Sequence, residues 1–171
     1  MVSKIYLAGG CFWCTEEVFN RVEGVIKVLP GYIGGYIKNP SYSQVCSGKT
    51  GHAEAVYIEF SEKIISLKKL LFIFFQTHDP TQLNRQGNDI GPQYRSAIFY
   101  TNKKQKKIID ITLKILSKKN YKNNEIVTKV EFASDFYIAE KEHINYFNLN
   151  SNQPYCKLVI LPKLEKLDNI L

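Results

Sequence analysis

The sequence predicts an α+β, or α/β, two-layer sandwich: a mixed β-sheet with helices packed on it and a ferredoxin-like core. Three observations carry that expectation. Segments with two-residue alternation, such as "KIYLA" and "HAEAVYIEF", interleave with a segment of helical period at Leu67, Leu70, Leu71, Phe74 and Phe75. Strand and helix signals follow one another as β-α-β-β-α-β-α-β-α, an order that suits helices laid on a sheet. The chain has 171 residues, 44% hydrophobic and 13% aromatic, without a break in composition, which fits one domain with its own core. That domain is read as residues 1–171, with a C-terminal arm from about 148 to 171.

Each element has a local reason. "KIYLA" (Lys4 to Ala8) alternates as a short strand, and Gly9-Gly10 then allows a sharp turn into "CFWCTEEVFNRV". There Phe12, Val18, Phe19 and Val22 share a helical face, so Cys11 stands at or near a helix N-terminus. "GVIKVLPGYIGGY" reads as a strand that breaks into a glycine-rich turn, and "NPSYSQVCSGKTG" as a loop or short helix closed by Gly48. In His52 to Phe60, Val56, Ile58 and Phe60 alternate with Ala55, Tyr57 and Glu59 as a strand. Ser66 caps the amphipathic helix that follows. His78 to Ser96 lacks apolar periodicity and is dense in Gly, Pro, Asn and Asp, and long polar loops inside a domain are usually functional. A strand "SAIFY", a lysine-rich helix from Lys103 to Leu116, a strand "EIVTKVEF" and a helix near Ala139 to Phe147 complete the body. The polar segment "LNSNQPYCK" leads into the tail and reads as a mobile arm.

Composition excludes several classes. Four cysteines in a chain of this length, with no basic and apolar leader pattern, point to free thiols in a reducing, cytoplasmic setting. The most apolar stretch, Leu67 to Phe75, is interrupted by Lys68 and Lys69 and is far short of the ~20 residues a membrane span needs. The net charge of +7 comes almost wholly from lysine, and the densest patch, "NKKQKK", opens a helix, which fits a solvated face rather than a nucleic-acid site. No membrane or nucleic-acid partner is expected, and the chain is expected to be a monomer.

The chemistry concentrates in "GGCFWC". A thiolate at a helix N-terminus is stabilised by unpaired N–H groups and the helix dipole, so Cys11 is expected to have a depressed pKa. Cys14 lies about one turn away and reaches Cys11 only if that turn relaxes, because a disulfide needs Cβ atoms about 4 Å apart. A zinc site would need a second knuckle, yet Cys46 and Cys156 are isolated and His52, His78 and His143 show no ligand spacing, so no metal is expected. A thiol-disulfide oxidoreductase of thioredoxin type also starts a helix with C-x-x-C, usually around a small or restricted pair. Phe12 and Trp13 suggest instead a small apolar substrate group held beside the sulfur.

The blocks "GGCFWCTEEVF", "NPSYSQVCSGKTGHAEAV" and "HDPTQLNRQGNDIGPQYRSAIFY", with weaker echoes in "AEKEHINYF" and "NQPYC", resemble type A peptide methionine sulfoxide reductases. The resemblance implies an oxidoreductase for methionine-S-sulfoxide, free or in proteins, needing no cofactor and recycled by thioredoxin. It casts Cys11 as the nucleophile that becomes a sulfenic acid, and Phe12 and Trp13 as the pocket for the substrate's ε-methyl group. It makes Glu54 the acid for the sulfoxide oxygen, Tyr42 and Tyr94 hydroxyl donors to that oxygen, and Asp89 a polar lining residue. Such an acid needs a raised pKa, which burial among aromatic rings supplies. The sulfenic acid has two candidate resolvers: Cys14, which many relatives replace by glycine, and Cys156 in the tail. Cys14 is favoured because closing one turn costs less entropy than recruiting a distant segment. His52 and His143 read as structural hydrogen-bonding residues, Cys46 as a buried spectator and Arg95 as the partner of a carboxylate.

Overall fold

The structure is a computed structural model describing residues 1–121 and 124–171. The first strand, β1 (Val2–Gly9), leads to α1 (Phe12–Asn20), β2 (Val25–Ile33), α2 (Tyr42–Cys46), β3 (Ala53–Ser61) and α3 (Leu67–Thr77). A small hairpin, β4 (Arg85–Gln86) with β5 (Asp89–Ile90), precedes a 3₁₀ turn at Pro92–Tyr94. Then come β6 (Ser96–Tyr100), α4 (Lys103–Lys119), β7 (Lys129–Phe132), β8 (Tyr137–Ile138), a 3₁₀ turn at Lys141–His143, α5 (Tyr146–Leu149), a π turn at Cys156–Ile160 and α6 (Leu161–Asp168).

Six strands form one mixed sheet in the order β7-β6-β1-β3-β2-β8. The centre is antiparallel, with β1 between β3 and β6 and β3 between β1 and β2. Only β7 runs parallel to its neighbour β6, and α4 supplies the long crossover that a parallel pair requires. Alternation along the strands makes two faces. Ile5, Leu7, Val56 and Ile58 join Phe12 and Phe19 of α1, Leu70 and Phe74 of α3 and Leu164 and Leu167 of α6 in the main core. Residues of opposite parity, including Ala8, Ala53, Ala55 and Ala97, are small and form a thinner layer against Ala133 and Phe136. The fold is therefore α+β, with a mixed sheet and helices.

Local signals explain the elements that position the site. Gly10 has φ +93°, a conformation that side chains with a Cβ rarely adopt, and a Cβ on Gly9 would lie 2.8 Å from Phe74 Cε2. The double glycine thus lets the chain leave β1 and enter α1 directly over α3. Ser66 caps α3 by accepting from the Lys69 N–H at 3.2 Å, and Asn102 caps α4 by accepting from Gln105 at 2.9 Å. The lysines of α4 are mostly exposed, with Lys106 paired to Asp110 on its own helix at 2.7 Å.

Three expectations change. Ala139 to Phe147 is not one helix: the Ala139 N–H bonds the Pro30 carbonyl beside the sheet edge, and Asn145 takes a left-handed φ of +57°. The polar loop carries the β4–β5 hairpin and the 3₁₀ turn rather than being structureless. The tail is no free arm, because Cys156, Ile160, Leu164 and Leu167 form a buried stripe at near-helical spacing that docks in the main core.

Gly31 of β2 faces β8, and a methyl there would overlap the Tyr137 carbonyl and the Phe136 ring. Gly31→Ala is expected to lower stability by about 1–3 kcal/mol, the usual cost of overpacking, in chemical denaturation. Wild-type stability in that variant would show that β8 does not dock there.

Candidate active site

The site grows from one side chain on β3. Glu54 shares the helix-facing parity of Val56 and Ile58 and is 1% exposed beneath the start of α1. Its Oε2 accepts the N–H of Phe12 at 3.1 Å, which satisfies one of the first-turn donors of α1. Its Oε1 is buried and has no hydrogen-bond partner among the described residues. Burial pushes the carboxyl up to about 8, opposed by the Phe12 N–H and helped by the nearby charge of Asp89. Glu54 is thus mainly a neutral acid at pH 7.

The sheet register and one loop carboxylate fix its surroundings. Tyr32 on β2 pairs across from Glu54, is fully buried and donates its hydroxyl to Glu140 Oε1 at 3.0 Å. Glu140 Oε2 accepts the Tyr42 N–H at 2.9 Å and so anchors the first residue of α2. A capping box between Ser41 and Gln44 starts that short helix. The Tyr42 ring lies 6.2 Å from Phe12 at 19° and 4.2 Å from His143. Tyr94 comes from the 3₁₀ turn after β5. Burial raises both tyrosine hydroxyls, and the charge of Glu54 raises each further, so both stay protonated as donors.

Trp13 is held on several sides. Its Nε1–H donates to His143 Nδ1 at 3.2 Å, Tyr146 stacks on it at 3.7 Å and 7°, and Tyr155 meets it edge-on at 5.7 Å. Burial lowers the His143 pKa, which keeps that nitrogen an acceptor. Phe12 and Trp13, 6.5 Å apart, face these rings.

All four cysteines are free thiols. Cys11 is the residue before α1, as its spacing predicts, but only 6% exposed. Burial, then the neighbouring Cys14, pushes its thiol well up, which corrects the expectation of a depressed pKa: desolvation outweighs the helix terminus. Its neighbour carries the opposite shift. Cys14, hydrogen-bonded by Cys11, is held down to about 7 against the cost of its own burial. The Tyr155 hydroxyl donates to Asp89 Oδ2 at 2.6 Å and lies 3.8 Å from Cys14 Sγ. Cys156, the next residue, is wholly buried.

Every residue assigned by sequence to the chemistry falls in this one region: Cys11, Phe12, Trp13, Cys14, Tyr42, Glu54, Asp89 and Tyr94. Two side readings fail. Cys46 is exposed rather than buried, because it ends α2 on the solvent side. Arg95 binds the carbonyls of Pro92 and Gly51, both at 3.0 Å, rather than a carboxylate. His52 and His143 are both hydrogen-bonding residues, His52 accepting from the Gly35 N–H at 3.1 Å and His143 from the Trp13 indole at 3.2 Å. Sequence reasoning also missed Tyr32, Glu140, Tyr146 and Tyr155. The signal for the last three was present in the weaker echoes "AEKEHINYF" and "NQPYC".

A family model described as peptide methionine sulfoxide reductase matches residues 3–170. The chain belongs to the peptide methionine sulfoxide reductase family. It is 52% identical over 165 residues to a protein named peptide methionine sulfoxide reductase MsrA from Ruthia magnifica, covering 96% of this chain and 97% of the relative. Among solved structures, reduced Mxr1 from Saccharomyces cerevisiae aligns with a TM-score of 0.85 at 33% identity, covering 91% of this chain and 89% of that one. Mxr1 in complex with Trx2 aligns at 0.61 and 25% identity, over 85% and 84% of the two chains.

The raised carboxyl has a consequence for stability. A carboxyl lifted in the folded state stabilises fully below its unfolded value of ~4.3 and loses that contribution as pH rises through about 8. Glu54→Gln removes the ionisation. Its denaturation midpoint is expected to rise relative to wild type between pH 5 and pH 9 (roughly the window set by those two values), while its single-turnover rate falls about 10²-fold. Parallel pH trends in the two proteins would contradict a buried neutral acid.

Proposed function

We propose that the chain reduces methionine-S-sulfoxide, free and in proteins, to methionine by a thiol mechanism. The observation that carries the reading is the neutral, buried Glu54, with one oxygen free and the other bonded to the N–H of Phe12, the residue after Cys11. A sulfoxide is a poor electrophile until its oxygen is protonated, so acid and thiol must act together.

As the Cys11 sulfur attacks the sulfoxide sulfur, Glu54 gives its proton to the sulfoxide oxygen and the Cys11 thiol proton replaces it on the carboxyl. The S–O bond of the substrate breaks, the hydroxyl passes to Cys11 as a sulfenic acid, and methionine leaves. Tyr42 and Tyr94 donate to the same oxygen, Phe12 and Trp13 hold the ε-methyl group, and Asp89 fixes Tyr155 beside the sulfurs. Cys14 then attacks Cys11: a disulfide forms and water leaves. Two features favour Cys14 over Cys156, namely its lowered pKa and its hydrogen bond with Cys11. A thioredoxin returns the disulfide to thiols, as the yeast complex with Trx2 suggests for this chain.

The setting follows from the same chemistry. Four free thiols fit a reducing, cytoplasmic compartment. Among the described residues no helix is long and apolar enough to cross a membrane. The core is ferredoxin-like, a reading supported by the order β6-β1-β3-β2 within the sheet and by α1 and α3 as its two crossovers.

With dithiothreitol and a peptide carrying racemic methionine sulfoxide, one epimer is expected to disappear and the other to remain; no consumption overturns the reading. With one equivalent of substrate and no reductant, thiol blocking and mass spectrometry are expected to find Cys11 joined to Cys14. A Cys11–Cys156 bridge, with Cys14→Ser still turning over with thioredoxin, would transfer the resolving role to Cys156.

A further inference from the structure

Cys14 also borders a small, partly enclosed space, lined with it by Gly9, Thr15, Phe74, Thr77, His78 and Lys163. At about 10 Å³ it holds one water molecule at most. Thr77, His78 and Lys163 also line an open cleft of about 460 Å³, so the rear of Cys14 lies one layer from solvent.

Only one cation among the described lining residues bounds this space. His78 is held near 4 by burial, and its ring bonds the Phe74 carbonyl at 2.6 Å and the Ser96 hydroxyl at 2.8 Å, so it stays neutral. Lys163 is the other titratable group besides Cys14 itself. Its place follows from the π turn. Tyr155 and Lys163 are eight residues apart, and a π turn adds one residue to a helical turn. The pair therefore spans the rotation of about seven α-helical residues, or two turns, and both face Cys14.

The groups around Cys14 change during the cycle. In the reduced enzyme the Cys11 S–H is the first support of a Cys14 thiolate, and burial and the charge of Asp89 oppose it. Oxidation of Cys11 to the sulfenic acid removes that S–H. The Tyr155 hydroxyl is committed to Asp89, and Glu54 and Cys156 bring no positive charge. Lys163 remains.

We propose that Lys163 is a positioning residue for the resolving half of the cycle, its ammonium holding Cys14 as the thiolate that attacks the Cys11 sulfenic acid. This rests on the reading that Cys14 resolves. In that step the Cys14–Cys11 S–S bond forms and the Cys11 S–O bond breaks. The departing hydroxide takes up the proton that Cys14 had released to solvent, giving water.

The test compares wild type with Lys163→Met, Lys163→Arg and Cys14→Ser. Each is mixed with one equivalent of methionine sulfoxide without reductant, and released methionine and remaining thiols are followed over time at several pH values. Lys163→Met is expected to release methionine with the wild-type amplitude but to lose its second thiol ~10-fold more slowly at neutral pH, as a one-unit rise in thiol pKa implies. Its pH midpoint moves up, the rate recovers at high pH, and Lys163→Arg restores the wild-type profile. An unchanged midpoint in Lys163→Met, or equal slowing at every pH that arginine does not relieve, overturns the proposal. Two thiols lost in Cys14→Ser would instead overturn the assignment of Cys14 as resolver.

Discussion

One hydrogen bond organises this protein: the Phe12 N–H to Glu54 Oε2, 3.1 Å long and buried. It joins the central antiparallel sheet to the first turn of α1, so the strand that carries the acid also fixes the helix that carries the sulfurs. It supplies a partner for a donor that no helix can satisfy internally. It also leaves the other carboxyl oxygen buried without a partner among the described residues. An ionised carboxylate at 1% exposure with no cation paired to it among the described residues would cost on the order of several kcal/mol, so the fold retains the protonated form. The neutral carboxyl is thus a product of packing, before any substrate binds.

The rest of the site is built outward from that bond. Tyr32 stands opposite Glu54 in the sheet, and Glu140 links it to Tyr42, so two strands, a loop and a short helix share one polar chain. Trp13 is fixed by His143, Tyr146 and Tyr155, all from segments that follow the sheet. The sulfurs beside these rings are buried, which strengthens hydrogen bonds around them and raises the cost of any stray charge. The same burial explains why Cys11 is not a resting thiolate although it precedes a helix. Charge in the thiol pair moves to Cys14, where a hydrogen bond from Cys11 and the cation of α6 favour it.

What was legible in the sequence is what depends on neighbours in the chain. Alternation in β3 placed Glu54 on the same face as Val56 and Ile58, Gly9-Gly10 marked the turn into α1, and Ser66 marked the start of α3. What was not legible depends on residues far apart. The bonds from Tyr32 to Glu140, Trp13 to His143 and Tyr155 to Asp89 span 108, 130 and 66 positions, and no local period reports them. The segment after Ala133 was misread for the same reason: its conformation is set by docking on β2 and α1 rather than by propensity. The tail misled because its polar beginning hid the buried stripe behind it.

Burial holds Glu54 as a neutral acid at pH 7. Carbon-13 NMR of glutamate labelled at the δ carboxyl, with Glu54→Gln assigning the resonance, reads its titration directly. The account requires a midpoint near 8 in the reduced, substrate-free protein. A midpoint close to the ordinary glutamate value of ~4.3 would contradict it.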